Sequence, residues 1–200
     1  MTWQWRRNTA RVLPIEPGGR VLLLHGWDPL RPRLLLSRQA RQEARDPRGG
    51  HVRLPEDDQL RRPGRVRFGT LMFDEFYFSV GGAAEKGETL RAAAAREMRE
   101  EIGVSVDEAA LGDPIATSNI TWSQFGVRII QDQEYYAVAV SPDLRVTLDG
   151  MGRLERSTVR GYEWLSLLEL LSPRVARAAD PRLPEILTRA IAAVGAKPDQ

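Results

Sequence analysis

The sequence predicts a mixed α/β fold, in which a sheet of parallel and antiparallel strands is flanked by helices. The chain has 200 residues, of which 42% are hydrophobic, and this is enough to build one domain with its own core. Segments typical of strands and helices follow one another in the order strands, helix, strands, helix, helix. Such an order places helices on the faces of one sheet. We therefore predict a single domain over residues 1–200.

The first strands lie in the stretch "TARVLPIEPGGRVLLLHG", which predicts two strands joined by a turn at Pro17-Gly18-Gly19. The next part, Asp28 to Gly69, is dense in Arg, Pro and Gly and poor in large apolar residues. We interpret it as a long exposed insertion with one short helix near residues 34 to 45. The aromatic stretch "TLMFDEFYFSV" is predicted to be a strand that leads into Gly81-Gly82.

The central helix follows a glycine-rich loop in "GGAAEKGETLRAAAAREMREEIGV". Thr89 is a suitable N-cap because its hydroxyl can accept a hydrogen bond from the first turn. The alanines that follow have high helix propensity. Gly103 is a suitable stop because a helix commonly ends on a left-handed glycine. The sequence thus predicts a helix between these two residues.

The remaining elements alternate between strand and helix. "PIATSNITW" and "VRIIQDQEYYAVAV" predict strands, with Ser123 to Gly126 between them. Asp149-Gly150 predicts a turn before a strand that ends near Leu165. "SLLELL" begins with a capping box from Ser166 to Glu169, and "PEILTRAIAAV" predicts an amphipathic helix that ends at Gly195.

Composition excludes several classes of protein. The chain has no Cys, which excludes disulfides, thiolate nucleophiles and cysteine-based zinc sites. Its formal net charge of +2 gives no global attraction to nucleic acid or to a membrane. The start, "MTWQWRRNTA", lacks the apolar run of a signal peptide, and no apolar run has the length of a membrane span. We expect a soluble, cytoplasmic protein without a membrane partner. The two histidines, His25 and His51, are predicted to be non-catalytic.

The central helix gathers three carboxylates on one face. Because a helix advances about 100° per residue, Glu97, Glu100 and Glu101 fall within about 100° of one another. Carboxylates this close repel each other unless a cation joins them, and hard oxygen ligands suit Mg²⁺ or Mn²⁺. Gly82 has no side chain, so its carbonyl can approach a metal ion held by the helix. Arg96 lies one turn before Glu100 and can hold a carboxylate in place.

The chemistry of such a site is metal-assisted hydrolysis. A Mg²⁺ ion held by carboxylates keeps some of its waters and also binds substrate phosphates. It can then polarise a phosphoryl oxygen and orient the attack of water. The residues therefore indicate hydrolysis of a phosphate or diphosphate, and they leave the substrate open.

The same stretch resembles the signature of the Nudix hydrolase family over Gly82 to Val104. That signature is Gly, five residues, Glu, seven residues, Arg-Glu-apolar, any residue, Glu-Glu, any residue, Gly-apolar. This chain supplies Gly82, Glu88, Arg96-Glu97-Met98, Glu100-Glu101 and Gly103-Val104 without a departure. "RVLLLHG", "FYFSVGG" and "GYEWLSLLEL" also resemble strands and a helix of the family, although Val80 stands where Pro is common.

The resemblance implies an α/β/α sandwich that hydrolyses a nucleoside diphosphate linked to another group. It implies that Glu97, Glu100 and Glu101 bind divalent metal, that the Gly82 carbonyl adds a ligand, and that Arg96 pairs with Glu88. The partner it implies is a small-molecule nucleotide. The general base varies within the family and stays open. The sequence also leaves the oligomeric state open, a homodimer included.

Other functions are less well supported by the residues. A Nudix-like domain that binds a nucleotide as a sensor, without cleaving it, need not keep all three glutamates. A protein that binds RNA through the basic insertion is disfavoured by the net charge. The isomerase branch of the fold would require a catalytic Cys, which this chain lacks.

One carboxylate outside the helix is a further candidate. In "RIIQDQEYYAVAV", Glu134 has the same strand parity as the apolar residues Tyr136, Val138 and Val140, so it should point to the same face. A carboxylate entering such a face is costly unless it meets a cation. We predict that Glu134 reaches the metal cluster or its attacking water, as an extra ligand or general base. Asp132 is its nearest competitor, and the alternative is a strand-end glutamate in solvent.

Overall fold

The structure is a computed structural model, and it describes residues 3–27, 33–34, 65–68, 71–124, 127–172 and 177–197. The strands in this part of the chain are β1 (Trp3–Ile15), β2 (Val21–Trp27), β3 (Arg33–Leu34), β4 (Arg65–Phe68), β5 (Leu71–Phe78), β6 (Ala116–Gln124), β7 (Val127–Ala139), β8 (Val159–Leu165) and β9 (Arg177–Ala178). The helices are α1 (Leu90–Ile102), a 3-10 helix (Glu108–Leu111), α2 (Arg153–Thr158), α3 (Leu167–Leu171) and α4 (Leu183–Val194).

The strands form one mixed sheet in the order β3-β5-β2-β1-β7-β6. β1 runs parallel to β7 along its whole length, from the pair Trp3 and Val127 to the pair Ile15 and Ala139. β6 pairs antiparallel with the other edge of β7. β2 lies between β5 and β8 and is antiparallel to both. The long parallel pair therefore forms the centre on which the helices pack.

The first two strands meet in the predicted hairpin. Ile15 pairs with Val21, and Gly19 has a φ of 76°, a backbone conformation that glycine adopts without strain. The Glu16 carbonyl accepts a hydrogen bond from the Gly19 N–H at 2.8 Å. The prediction of a turn at Pro17-Gly18-Gly19 is confirmed.

The sheet carries a hydrophobic core on each face. Along β1, Leu13 and Ile15 face a cluster built with α4, whereas Ala10 and Val12 face a cluster built with α1. This alternation follows from the two-residue period of a strand. Helices thus cover both faces, and the predicted α/β/α sandwich with a mixed sheet is confirmed.

Two short parts of the predicted insertion at 28–69 are strands of the sheet. β3 and β4 both pair antiparallel with β5. The helix expected near residues 34 to 45 lies outside the described residues, apart from residue 34, which belongs to β3. The division into one domain with an insertion stays a prediction. No helix among the described residues is long and apolar enough to cross a membrane.

Candidate active site

Helix α1 is held at both ends by the residues that the sequence indicated. The Thr89 hydroxyl accepts a hydrogen bond from the Ala92 N–H at 3.1 Å, which satisfies one free donor of the first turn. Gly103 ends the helix with a φ of 71°, and its N–H bonds to the Arg99 carbonyl. Met98 and Ile102 are fully buried against the sheet and fix the face that α1 presents.

The glycine-rich loop before α1 runs antiparallel to β1. The Ala10 N–H donates to the Gly82 carbonyl at 3.0 Å, and the Ala84 N–H donates to the Asn8 carbonyl at 3.1 Å. Gly81 has a φ of 135°, and a Cβ there would lie 2.1 Å from the Ala10 carbonyl oxygen. Only glycine fits such a close approach of two backbones.

Gly82 brings this loop against the carboxylates of α1. A Cβ on Gly82 would lie 2.2 Å from Oε1 of Glu97, so a larger residue would have to displace that carboxylate. The loop backbone and the carboxylate face of the helix are therefore in direct contact.

The glutamates of α1 differ in their surroundings. Glu97 is 7% exposed and Glu101 is 5% exposed, whereas the Glu100 side chain is 44% exposed. Burial raises the pKa of Glu101 to about 8, and the negative charge of Glu97 adds to that rise. The Gly81 N–H donates a hydrogen bond to Oε2 of Glu101 at 2.7 Å, which opposes the rise. Burial also raises the pKa of Glu97, and the charge of Arg96 opposes that rise.

Arg96 links the loop to the helix face. Its guanidinium donates to both carboxylate oxygens of Glu88, at 3.0 and 3.2 Å, and to the Ala83 carbonyl at 3.1 Å. Its Nη1 also donates to Glu97 at 2.8 Å and to Glu100 at 2.9 Å. The hydrogen bonds from Arg96 lower the pKa of Glu88. The structure thus contains the expected contact between Arg96 and Glu88.

Glu155 is a carboxylate near this face that the sequence did not single out. It lies in α2, where its Oε2 accepts a hydrogen bond from the Gly152 N–H at 2.8 Å. Its negative charge contributes to the raised pKa values of Glu97 and Glu101. The only local signal was a glutamate three residues after the N-cap glycine, Gly152, in a helix too short to show a hydrophobic period.

The loop that precedes α2 is docked on α1. The Thr147 N–H donates to the Ile102 carbonyl at 3.1 Å. A Cβ on Gly150 would lie 2.3 Å from the Glu100 carbonyl oxygen, so the two backbones touch. Because of this contact, Glu155 lies near the surface of α1 formed by Glu97, Glu100 and Glu101, which we call the glutamate face.

Glu134 lies in a different environment. It shares a strand face with Tyr136, as expected, and its Oε2 accepts a hydrogen bond from the Tyr136 hydroxyl at 2.8 Å. Together with Asn8 and Leu90 it lines a cleft of about 430 Å³ at the beginning of α1. The competitor Asp132 is held by Arg6 and Asn119. A role for Glu134 at the metal cluster stays a prediction.

The donor set fits a hard divalent cation in its chemistry. Two buried glutamates, a third beside them and the Gly82 carbonyl are the oxygen ligands that Mg²⁺ and Mn²⁺ prefer. In the described part of the chain, however, no three acidic or histidine side chains converge as a ready metal site. Arg96 bridges Glu97 and Glu100, and Glu101 is bonded to the Gly81 N–H. Binding a cation would exchange some of these contacts.

The sequence matches the NUDIX domain over residues 60–186, which is more than half of the chain. No curated protein matches it. Among solved structures it is similar to a MutT protein from Methanosarcina mazei Go1, at 16% identity, 95% of this chain, 96% of that chain and a TM-score of 0.49. It is also similar to an Ap4A hydrolase from C. elegans, at 12% identity, with 94% of this chain and 96% of that chain covered and a TM-score of 0.49. A MutT NUDIX hydrolase from Burkholderia pseudomallei is similar at 14% identity, with 92% of this chain and 98% of that chain covered and a TM-score of 0.49. The domain match alone defines the family.

Proposed function

Because the chain belongs to the NUDIX domain family, we propose that it hydrolyses a diphosphate linkage in a nucleoside diphosphate derivative. The observation that carries the proposal is the glutamate face of α1, in which Glu97 and Glu101 are buried against a glycine loop. Burying two carboxylates side by side is unfavourable in a merely structural helix, because their charges repel and lose solvation. Such an arrangement supports a role in binding a cation and, through it, a diphosphate.

The residues of the site divide into ligands and supports. Glu97, Glu100, Glu101 and the Gly82 carbonyl would hold a divalent cation, Mg²⁺ or Mn²⁺. When bound, such a cation supplies Lewis-acid polarisation of a phosphoryl oxygen and a more acidic bound water. Arg96 holds Glu97 and Glu100 in position and anchors the loop through Glu88 and the Ala83 carbonyl.

Two carboxylates outside α1 are candidates for taking a proton from the attacking water. Glu155 is a candidate because it lies near enough to Glu97 and Glu101 for its charge to contribute to their raised pKa values. Glu134 remains the prediction made from strand parity. Glu155→Gln and Glu134→Gln, compared across pH, separate them. The variant that lacks the general base should have a kcat at least tenfold below that of the wild type. Its pH profile should also lack the ionisation that controls the acidic limb.

The test of the proposed activity is a panel of nucleoside diphosphate derivatives incubated with Mg²⁺. Phosphorus NMR should show each substrate converted to two phosphate monoesters, of which one is a nucleoside monophosphate. Glu97→Gln and Glu101→Gln should remove most of this turnover, whereas Glu108→Gln, on the exposed 3-10 helix, should retain it. Binding of nucleotides without any turnover would contradict a hydrolase and support a nucleotide sensor.

A further inference from the structure

Arg11 is a residue of β1 on the face of the sheet opposite to the glutamate face. Side chains alternate between the two faces of a strand, and Leu13 belongs to the hydrophobic cluster built with α4. Arg11, two positions earlier, therefore lies on the α4 face, whereas Glu101 belongs to α1 on the other face. Among the described residues, the Arg11 side chain bonds to one side-chain amide and two backbone carbonyls, and to no carboxylate.

The Arg11 guanidinium holds the glycine-rich loop at Gly81. Its Nη1 donates to the Gly81 carbonyl at 2.7 Å and, more weakly, to the Ser79 carbonyl at 3.4 Å. Gly81 has no side chain, so only its two backbone polar groups can fix it by hydrogen bonds. Its N–H donates to Glu101 at 2.7 Å. Gly81 is thus held by Arg11 through its carbonyl and by Glu101 through its N–H.

The attachment of the loop to β1 does not depend on this arginine. The Val12 N–H donates to the Val80 carbonyl at 2.8 Å, and the Ala10 N–H donates to the Gly82 carbonyl at 3.0 Å. These two backbone bonds fix the loop on either side of Gly81. The bond from Arg11 therefore adds the orientation of Gly81 itself.

Gln133 fixes the direction of Arg11. It lies on the same α4 face, two positions before Tyr135 of the α4 cluster, and its amide oxygen accepts a hydrogen bond from Arg11 Nε at 2.8 Å. Gln133 is 3% exposed, yet its amide nitrogen has no hydrogen-bond partner in the described part of the chain. A buried unpaired donor costs about 1–3 kcal/mol, so an apolar side chain would suit this position better if packing were its sole role. The bond to Arg11 accounts for an amide here.

The orientation of Gly81 affects Glu101 directly. Glu101 is 5% exposed, and the Gly81 N–H is its one hydrogen-bond donor among the described residues. Burial raises the pKa of Glu101, and the positive charge of Arg11 lies near enough to oppose that rise. A change in the orientation of Gly81 would remove the donor and would move the loop backbone that contacts Glu97 at Gly82.

We propose that Arg11 is a positioning residue for the glutamate face. By holding the Gly81 carbonyl from the α4 face of the sheet, it keeps the Gly81 N–H on Glu101 and thereby sets the geometry in which Glu97 and Glu101 receive a divalent cation. Gln133 orients Arg11 for this task. The part of the inference that concerns the cation rests on the proposed function, whereas the hold on Gly81 does not.

Hydrogen exchange of the Gly81 amide, followed by NMR in EDTA, tests the hold on the loop without metal. Arg11→Met should speed exchange of this amide at least tenfold, because Gly81 loses its fixed orientation. The Gly103 amide, at the end of α1, should exchange as in the wild type. Gln133→Leu should speed Gly81 exchange to a smaller extent, because Arg11 loses its anchor but keeps its own donors.

Electron paramagnetic resonance of added Mn²⁺ tests the consequence for the glutamate face. Arg11→Met should bind Mn²⁺ at least fivefold more weakly than the wild type. Arg11→Lys, which keeps a positive charge and a donor, should bind it more tightly than Arg11→Met does. Arg20→Met is the matched control, because Arg20 also donates to a backbone carbonyl, that of Trp164, and it should match the wild type in both experiments.

Unchanged Gly81 exchange in Arg11→Met would overturn the proposal, and so would equal acceleration at Gly81 and Gly103, which indicates a general loosening of the fold. If Arg11→Met does not fold, Gln133→Leu replaces it in both comparisons. Faster Gly81 exchange in a protein whose wild type binds no Mn²⁺ would retain the hold on the loop and refute the proposed cation site. Equal Mn²⁺ affinity in wild type and Arg11→Met would leave the proposed function intact and overturn the positioning role of Arg11.

Discussion

Burial of the Glu101 carboxylate disfavours its ionised form. Its pKa of about 8 lies above the ordinary value of 4.5, so the folded protein keeps this proton at pH values where the unfolded chain has lost it. The stabilisation is fully present below about pH 4.5 and is lost as the pH rises through 8. In EDTA, the free energy of unfolding should therefore fall between these limits, and Glu101→Gln should weaken that fall.

Urea unfolding at pH 5 and at pH 9 checks this prediction. Glu97 also has a raised pKa, so the variant should retain part of the pH dependence. At pH 9 the Glu101→Gln protein should be more stable relative to wild type than it is at pH 5. A constant difference between the two proteins at both pH values would show that Glu101 does not hold the extra proton.

Gly82 tests whether the close approach of loop and carboxylate is required for activity. Gly82→Ala should displace the Glu97 carboxylate, because the new Cβ would lie 2.2 Å from Oε1. We expect at least a tenfold loss of turnover with a smaller effect on stability, since the end of a side chain can move more readily than backbone. Gly161→Ala is the matched control, because nothing lies within 4 Å of its Cβ. Equal activity in both variants would exclude a functional role for the contact.

The residues of the site divide into those that sequence reasoning could find and one that it could not. Arg96, Glu97, Glu100 and Glu101 lie within six positions of one helix, so helix geometry alone brought them to one face, and the spacing of the signature added Gly82. Glu155 reaches the same place only because the loop before α2 docks on α1, a tertiary contact that leaves no periodic signal in the sequence.

At the scale of elements, the docked loop before α2 supports the glutamate face from outside. Gly150→Ala should place a Cβ 2.3 Å from the Glu100 carbonyl oxygen, which is backbone and cannot simply rotate away. Overpacking of this kind costs about 1–3 kcal/mol. Thermal unfolding should show a lower Tm for Gly150→Ala, and its turnover should fall as Glu155 moves. Gly161→Ala, which would have nothing within 4 Å of its Cβ, is the control.

Comparable losses in both glycine variants would show that the loop does not depend on the contact at Gly150. An unchanged Tm for Gly150→Ala would have the same meaning. Loss of stability with normal turnover would separate the docking of the loop from any role of Glu155.

Elements with local boundary signals were predicted correctly. The N-cap Thr89 and the stop Gly103 of α1, the capping box of α3 and the stop Gly195 of α4 are all confirmed. Elements without such signals were not found. The first half of β1, from Trp3, has no apolar alternation, and it is a strand because it pairs with β7, more than a hundred residues away. The short helix α2 and the 3-10 helix were missed for lack of a measurable period.

At the scale of the whole molecule, the sandwich gives each part of the candidate site a separate support. The parallel pair of β1 and β7 forms the centre of the sheet. Helix α1 packs on one face of this pair, and α4 packs on the other. The glycine-rich loop that leads into α1 is hydrogen-bonded to the backbone of Asn8 and Ala10 in β1. The order of elements in the sequence was sufficient to predict this layered fold. The strand order could not be predicted, because it depends on pairings between distant segments.

The central claim is that the glutamate face of α1 binds a divalent cation, and it can be tested without knowing the substrate. Electron paramagnetic resonance of Mn²⁺ titrated into the protein measures the number of bound ions and their affinity directly. Wild type and Glu108→Gln should bind Mn²⁺ with the same affinity, whereas Glu97→Gln and Glu101→Gln should each bind it at least tenfold more weakly, because each loses a charged oxygen ligand. Equal Mn²⁺ affinity in all four proteins, or no Mn²⁺ bound by the wild type, would contradict the claim.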